Sequence, residues 1–324
     1  MEPSVFVTGG SGFVGGAVIR SLIDDHSVKA MARSPAAAEK VSSLGAEPVL
    51  CSLANVGPEH VGGCETVVHC AAETGEWAPP GQFFETNVLG TARMLEAARG
   101  GGVHKFVHIS TDSVLLEGHP LRAVDESSPL PGRTPHAYAA TKAAGESAVI
   151  AANDPPSFST VAVRPCLVWG PGDTTVLPEI RTMVNKGQFL WLSGGHQTIS
   201  TTNVQNLALG VRLVMTHECP GEVFYITDED PLEMRTFLTG YVGASGIELP
   251  DRSVPAPLAA LAAGVVEAVW RVFRPRHKPP LTRFAVELLS KDHYIHTDKA
   301  RRLLGYRPAV SIAAGIEAIR SGAA

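Results

Sequence analysis

A glycine-rich turn directly after the first apolar run is the feature that most constrains this fold. The run Val5–Val7 has β-strand character, and the turn Thr8–Gly15 that follows it has the sequence TGGSGFVG. Because glycine has no Cβ, its backbone can turn tightly and let a pyrophosphate group approach closely. A helix that starts within the turn would direct free N–H groups and a positive dipole end at that phosphate. The residues predicted to contact such a nucleotide are Gly9, Ser11, Gly12, Phe13, Val14 and Gly15.

Short apolar runs alternate with helix-forming stretches through the first half of the chain. The runs are Val5–Val7, Val28–Met31, Val49–Leu50, Thr66–His69, Phe106–Ile109 and Thr160–Val163. Ala- and Leu-rich segments of helical length lie between several of them. This alternation predicts βαβ units and a parallel sheet that is buried on both faces. We therefore expect an α/β fold with a doubly wound parallel sheet of the Rossmann type.

The character of the sequence changes after Arg164, where proline, glycine and irregular polar stretches become frequent. We predict a nucleotide-binding domain over residues 1–165. Residues 166–324 are expected to form a smaller C-terminal substrate-binding lobe, with some segments returning to the main sheet.

Charge and cysteine usage exclude several classes of protein. The 324 residues carry a formal net charge of -5, which argues against nucleic acid as the main partner. The five cysteines are odd in number and have no CxxC spacing, so neither a disulfide framework nor a metal site is predicted. The N-terminus shows no export signal. A reducing cytoplasm is the expected compartment.

The most apolar later segment, Val254–Val266, is interrupted by Glu267 and is expected to be too short to span a bilayer. We favour a core-facing helix near Leu258–Trp270 with a solvated end. The alternative is peripheral contact with a membrane surface. The basic residues that would make this contact are Arg271, Arg274, Arg276 and Lys278.

The end of the second apolar run indicates which dinucleotide is bound. A carboxylate there would bond the 2′-hydroxyl of NAD, whereas an arginine accommodates the 2′-phosphate of NADP. The chain has Arg33 after Ala32 and no acidic residue before Glu39. A guanidinium can pair with phosphate through charge-assisted hydrogen bonds. We therefore predict that NADP(H) is preferred, with NAD(H) as the alternative.

Tyr138 and Lys142 lie four residues apart in an Ala-rich stretch, so a helix would place both side chains on one face. A free tyrosine has a pKa near 10, too high for efficient acid–base catalysis at neutral pH. We expect the neighbouring ammonium to lower the pKa of Tyr138.

Together, these motifs resemble the extended short-chain dehydrogenases/reductases of the NAD-dependent epimerase/dehydratase superfamily. The glycine turn and the Tyr138/Lys142 pair are similar to the TGxxGxxG and YxxxK motifs of that family. Four further segments are similar in the family's order and extend the resemblance over nearly the whole chain. They are Asn87–Thr91, His108–Val114, Arg164–Pro165 and Gly170–Asp173.

The resemblance implies a role for each matching residue. Tyr138 would give a proton to a carbonyl oxygen and take it back in the reverse reaction. Lys142 would tune Tyr138 and hold the ribose beside the nicotinamide. Thr111 would hydrogen-bond the substrate oxygen, with Ser113 as a second candidate. The further cofactor contacts that the resemblance implies are Ala71, Ala72, Asn87, Pro165 and Val168.

Departures from the family pattern bear on the substrate. Dehydratases have Thr-Asp-Glu where this chain has Thr-Asp-Ser at 111–113, and sugar-nucleotide enzymes commonly have Asn where this chain has Leu167. The second half resembles the 3β-hydroxysteroid dehydrogenase branch. The stretch Tyr138–Asp173 is similar to bacterial 2-alkyl-3-oxoalkanoate reductases. Both imply a bulky hydrophobic alcohol or ketone in a largely apolar pocket. The predicted lining residues are Trp77, Cys166, Trp169 and Trp191.

Two other functions remain open at this point. One is a sugar-nucleotide epimerase that holds NAD tightly, which Leu167 and Arg33 oppose. The other is a non-catalytic NADP-binding regulator, which the presence of both Tyr138 and Lys142 opposes. The oligomeric state is open at this point, and a homodimer is expected because twofold symmetry is the commonest arrangement.

Overall fold

Strands and helices alternate along the chain. A computed structural model describes residues 3–75, 77–273 and 278–322. The strands are β1 (Ser4–Thr8), β2 (Ser27–Ala32), β3 (Glu47–Leu50), β4 (Thr66–His69), β5 (Lys105–Ile109), β6 (Leu121–Val124), β7 (Ser159–Pro165), β8 (Leu167–Trp169), β9 (Trp191–Leu192), β10 (Thr198–Ile199), β11 (Thr201–Asn203), β12 (Val223–Ile226), β13 (Leu232–Glu233), β14 (Ser253–Val254) and β15 (His293–Ile295). The α-helices are α1 (Phe13–Leu22), α2 (Pro35–Ser43), α3 (Pro58–Val61), α4 (Pro80–Phe84), α5 (Gly90–Gly100), α6 (Ala137–Ala151), α7 (Val176–Asn185), α8 (Val204–Thr216), α9 (Met234–Gly243), α10 (Ala256–Phe273), α11 (Arg283–Ser290), α12 (Asp298–Leu304) and α13 (Ile312–Arg320).

Seven strands form one parallel sheet in the order β12-β7-β5-β4-β1-β2-β3. The chain builds outward from β1 to β3, then crosses back to β4 and builds in the other direction. The strand order therefore reverses between β1 and β4. Ligands of doubly wound sheets bind at this switch point, outside the carboxyl ends of the strands. The predicted Rossmann-type α/β fold is confirmed.

The side-chain alternation of the strands creates one core on each face of this sheet. Val5 and Val7 of β1 belong to the same buried cluster as Ile19 of α1. Phe6, which lies between them, belongs to the opposite cluster with Met94 of α5. Because both faces are covered, the strands are apolar throughout rather than alternately polar.

The strands outside the main sheet come from the chain after residue 165, except for β6. Strand β12 returns to the main sheet, where Val223 pairs with Ala162 of β7. A four-stranded sheet in the order β13-β10-β15-β6 lies outside it. Its neighbouring core is formed around three aromatic side chains, Trp169, Phe237 and Tyr241.

Helix α10 lies on the surface, and the prediction of a core-facing helix is wrong. Leu261 and Val272 are 69% and 73% exposed, whereas Ala259, Ala263 and Glu267 are buried. The helix continues through Glu267 because this carboxylate is bonded to Arg283 of α11. Among the described residues, α10 alone is both long enough and apolar enough to cross a membrane, judged by length and composition. Arg274 and Arg276 of the predicted basic flank lie outside the described residues.

Candidate active site

The glycine turn is packed so closely that Gly9 and Gly15 leave no room for a side chain. Gly9 has φ +69, and a Cβ there would lie 2.9 Å from the backbone nitrogen of Ala71. A Cβ on Gly15 would lie 2.2 Å from the carbonyl oxygen of Gly9. Helix α1 starts at Phe13, and no side chain caps its first turn. The turn therefore fits a dinucleotide pyrophosphate, whose oxygens would accept hydrogen bonds from the free N–H groups of α1.

The other predicted cofactor contacts lie along the same edge of the sheet. Ala71 and Ala72 follow β4, and the Ala71 nitrogen donates to the Thr8 hydroxyl beside the glycine turn at 3.0 Å. Arg33 follows β2 and is exposed. Pro165 ends β7, and Val168 lies on β8 directly after it. All five residues are thus at, or just beyond, the carboxyl ends of parallel strands.

The three predicted catalytic side chains meet where β5 ends. Thr111 follows β5, and its hydroxyl is hydrogen-bonded to Tyr138 of α6. One helical turn later, the buried Lys142 ammonium donates to the Ile109 carbonyl at 2.6 Å and lies 3.4 Å from Nε2 of His108. The four-residue spacing therefore places both α6 side chains against the end of β5.

The pKa of Tyr138 departs from the sequence-based expectation. Burial raises the pKa of this phenol to about 12, the hydrogen bond with Thr111 acts in the opposite direction, and the charge of Asp112 raises it further. The expected lowering by Lys142 is wrong for this structure because that ammonium is held at the Ile109 carbonyl. Burial also lowers the pKa of Lys142 to about 8, against the charges of Glu146 and Cys70. A phenol with this pKa, like a free tyrosine, is neutral at pH 7, and the neutral form is the one that donates a proton.

Asn87 connects the loop after β4 to the catalytic helix. It lies in a π-helical turn over residues 85–89. Its amide oxygen accepts from the Glu73 nitrogen at 2.8 Å, and its amide nitrogen donates to the Glu73 carbonyl and the Thr141 hydroxyl, both at 3.1 Å. These three bonds engage the side chain with the protein itself. They hold the loop at Glu73 against α6, and the cofactor contact that the resemblance implies for Asn87 stays a prediction.

A buried carboxylate beside Thr111 was missed by the sequence analysis. Asp112 accepts a hydrogen bond from Thr111 at 3.1 Å, and its Oδ2 lies 2.9 Å from Nε2 of His293 on β15. Burial opposes its ionisation, but the charge of His293 and hydrogen bonds from His293, Cys166 and Thr111 hold the pKa of Asp112 below its usual value. In the sequence, the signal that could have identified Asp112 is its position next to the candidate catalytic residue Thr111. Its partner comes from the far end of the chain and has no local sequence signature.

Aromatic rings, also missed, surround the Tyr138 phenol. The ring of Phe83 in α4 lies 6.5 Å from that of Tyr138, and the ring of Phe284 in α11 meets it edge-on at 5.8 Å. Phe284 also packs edge-on against His136 at 5.2 Å, and His136 is bonded to Glu287 at 2.9 Å. The surroundings of the proton donor are therefore largely apolar.

Two of the predicted substrate-lining residues belong to the hydrophobic core instead. Trp169 is fully buried between Phe237 and Tyr241, and its indole N–H donates to Asp228 at 2.6 Å. Trp191 is 3% exposed and packs against other aromatic and cationic side chains. Both are corrected to structural residues, because large rings gain most by full burial.

The other three candidates have different surroundings. Cys166 is buried and hydrogen-bonded to Asp112. Ser113 is also buried, and its hydroxyl lies 3.4 Å from the same carboxylate, so it shares the environment of Thr111. Trp77 is partly buried in the segment between β4 and α4.

Comparison with known proteins gives two kinds of similarity. Residues 6–256 match the 3-beta hydroxysteroid dehydrogenase/isomerase family. The 4-hydroxy-2-methyl-3-oxo-4-farnesyl-3,4-dihydroquinoline-1-oxide ketoreductase of Stigmatella aurantiaca is 41% identical over 318 residues, which cover 97% of this chain and 95% of that protein. The 2-alkyl-3-oxoalkanoate reductase of Stenotrophomonas maltophilia is 33% identical over 334 residues and 99% of each chain.

Solved structures of the same architecture include sugar-nucleotide enzymes. A UDP-glucuronic acid 4-epimerase from Bacillus cereus in complex with NAD superposes with a TM-score of 0.74 at 21% identity, over 97% of this chain and 96% of that one. A dTDP-glucose 4,6-dehydratase from Streptomyces venezuelae gives 0.76 at 23% identity, over 98% and 94%. At such identities the likeness shows the fold alone.

Proposed function

This chain belongs to the 3-beta hydroxysteroid dehydrogenase/isomerase family and is an NAD(P)-dependent oxidoreductase acting on CH–OH groups; from that premise we propose that it interconverts a ketone and a secondary alcohol on a bulky hydrophobic substrate, with NADP(H) preferred. The family assignment agrees with the resemblance drawn from the glycine turn and the Tyr138/Lys142 pair.

The observation that carries the proposal is the convergence of Thr111, Tyr138 and Lys142 at the carboxyl end of β5, the strand beside β4 and the switch point of the sheet. In the reductive direction, the Tyr138 hydroxyl donates its proton to the carbonyl oxygen of the substrate. In this proposal Thr111 orients that hydroxyl, and Lys142, which lies at the end of β5, holds the cofactor ribose. When bound, the reduced nicotinamide supplies the hydride.

The apolar surroundings of the phenol support a hydrophobic substrate. Phe83 and Phe284 contact Tyr138, and Leu167 lies where sugar-nucleotide enzymes commonly have a polar side chain. The relatives are named for a farnesylated quinoline oxide and for 2-alkyl-3-oxoalkanoates. We assign this chain a substrate of the same chemical class, a ketone that carries a long or polycyclic hydrocarbon group.

A panel of ketones tests the function. The purified chain is mixed with NADPH and, in turn, a 2-alkyl-3-oxoalkanoate, a 3-ketosteroid, a prenylated quinolone and UDP-glucose, and oxidation of the cofactor is followed by absorbance. We expect turnover with at least one hydrophobic ketone. Absence of turnover with all three would contradict the proposal. Conversion of UDP-glucose to its epimer, followed with NAD by chromatography because it leaves the cofactor unchanged overall, would assign the rival function.

Cofactor preference is tested at Arg33, which is exposed at the end of β2. The Arg33→Ala variant should bind NADPH about 10- to 100-fold more weakly, because a charge-assisted hydrogen bond contributes roughly 1.5–3 kcal/mol. Affinity for NADH should stay the same, since NADH has no 2′-phosphate. Quenching of protein fluorescence measures both constants. Arg302→Ala, at an exposed arginine of α12, is the control; equal loss for NADPH and NADH would assign Arg33 no role in selecting the phosphate.

A further inference from the structure

The Asp112 carboxylate is linked to the proton donor through a single hydroxyl group. Oδ1 of Asp112 accepts a hydrogen bond from Thr111 at 3.1 Å, and Thr111 is also hydrogen-bonded to Tyr138. A hydroxyl has one hydrogen, so the hydrogen that Thr111 gives to Asp112 is not available to the phenol. Tyr138 therefore lies beside a negative charge that opposes proton donation, since this charge raises the pKa of the phenol.

The second oxygen of the same carboxylate faces a histidine. Oδ2 of Asp112 lies 2.9 Å from Nε2 of His293, and both side chains are buried. The side chains around this pair are mainly aliphatic, namely Leu167, Ile199, Met234, Leu288 and Leu289. Water screens charges little in such surroundings, so an unpaired carboxylate here would act strongly on Tyr138.

The position of His293 is fixed by the four-stranded sheet. His293 lies on β15, between β10 and β6, in register with Ile199 and Leu121. Its carbonyl oxygen accepts a hydrogen bond from the backbone nitrogen of Ser200 at 2.9 Å. Strand β15 thus brings an imidazole from the C-terminal part of the chain to the carboxylate beside Thr111.

Three other titratable groups of the described residues face Asp112. They are Tyr138 of α6, Cys166 after β7 and Tyr225 of β12. Burial raises the pKa of Tyr138 to about 12, and it raises the pKa of Cys166 and of Tyr225 well above their usual values. All three are therefore neutral between pH 5 and 8. Of these neighbours, the imidazole of His293 is the one that can supply a positive charge in this range.

We propose that His293 is a positioning residue of the active site, which acts as the imidazolium counter-ion of Asp112 and thereby keeps Tyr138 able to donate its proton. The two opposite charges offset each other at the phenol. Tyr138 can then lose its proton to a substrate oxygen without facing an uncompensated carboxylate. This effect on reduction rests on the proposed function, whereas the pairing of His293 with Asp112 does not.

Replacing His293 with leucine tests the role of its charge. His293→Leu should lower kcat for ketone reduction at pH 8 by about 3- to 10-fold, because raising the pKa of a proton donor by about 1 slows proton transfer by up to tenfold. The double variant Asp112→Asn/His293→Leu should recover most of this loss, since it removes the carboxylate charge together with its partner. Two residues that act as a pair are expected to give such a non-additive result.

The pH profile separates this role from a structural one. Without His293 the burial of Asp112 is less opposed, so the pKa of this carboxyl should rise by about 1 to 3. As the pH falls from 8 to 5, Asp112 then takes up a proton and its charge disappears. With a ketone that does not ionise, the kcat of His293→Leu should therefore approach that of the wild type at low pH. A loss of packing alone would lower kcat by a constant factor.

Infrared difference spectroscopy follows the carboxyl group without a substrate. Between pH 8 and pH 5, His293→Leu should gain the band of a protonated carboxyl that is absent from the same spectra of the wild type and the double variant. A wild type that reduces no ketone would overturn the proposed function, and the infrared result would still decide whether His293 keeps Asp112 ionised. His196→Leu is the matched control, because His196 and Glu233 form an exposed pair of the same kind at 2.6 Å. This variant should match the wild type in both measurements.

Three results would each overturn the proposal. An unchanged kcat of His293→Leu at pH 8 would show that Tyr138 needs no counter-ion beside it. A ratio of variant to wild-type kcat that stays constant with pH would assign His293 a packing role. A double variant no more active than His293→Leu would show that the effect does not pass through Asp112. Circular dichroism and NADPH binding confirm that each variant is folded.

Discussion

Replacing Tyr138 with phenylalanine is expected to lower kcat for ketone reduction by about 10²- to 10⁴-fold, the usual contribution of a positioned general acid. The hydroxyl is the proton donor, and it is protonated at pH 7 because burial raises an already high pKa of Tyr138 to about 12. The aromatic ring remains, so its contacts with Phe83 and Phe284 should persist. NADPH affinity should therefore change little, and steady-state kinetics with a separate cofactor titration measures both quantities.

A second Tyr→Phe variant separates chemistry from stability. Tyr306 is fully buried and its hydroxyl donates to the Thr227 carbonyl at 2.7 Å. Tyr306→Phe should cost about 1 kcal/mol of stability, the typical worth of such a hydrogen bond, and leave kcat of the folded enzyme intact. Equal kcat values for Tyr138→Phe and the wild type would remove Tyr138 from the mechanism.

Replacing Glu146 with glutamine is expected to lower the free energy of unfolding by roughly 3–5 kcal/mol, because it leaves a buried guanidinium without its counterion. Glu146 of α6 and Arg164 of β7 are 2% and 3% exposed. Their two hydrogen bonds are 2.6 and 2.9 Å long, and Arg164 also donates to the Tyr225 hydroxyl of β12 at 3.0 Å. One ion pair thus ties the catalytic helix to two strands of the main sheet.

An exposed pair provides the control for this prediction. Glu317 and Arg320 are ion-paired on α13 with both side chains more than half exposed. Glu317→Gln should change the free energy of unfolding by no more than about 1 kcal/mol, since solvent screens such pairs. Urea denaturation followed by circular dichroism measures both variants. If Glu146→Gln costs no more than Glu317→Gln, the buried pair does not stabilise the fold as argued.

The local sequence was sufficient to predict the structure where a short pattern has a direct physical cause. The spaced glycines of the turn predicted a close approach of backbones, which the Gly9 and Gly15 contacts show. The four-residue spacing of Tyr138 and Lys142 predicted a shared helical face, and both side chains meet the end of β5. The same reasoning was less successful for aromatic residues: Trp169 could equally line a pocket or fill a core, and composition does not distinguish the two.

The orientation of α10 was predicted wrongly for a related reason. In sequence, Glu267 interrupts an apolar stretch and suggests a helix with its hydrophobic side inward. In the fold, that carboxylate meets Arg283 and turns inward itself, so the aliphatic side chains face outward. The inward side of α10 is thus the one that carries Glu267, and its partner Arg283 is revealed only by the packed structure.

The amino-acid sequence by itself determined the α/β architecture, the dinucleotide turn and the helix that carries the proton donor, because strand alternation, glycine geometry and helical spacing act over a few residues. Only the tertiary structure decided the raised pKa of Tyr138, the pairing of Asp112 with His293 and the outward face of α10. Those properties depend on burial and on partners distant in the chain. Burial and such distant contacts arise only when the polypeptide folds and excludes water from its core.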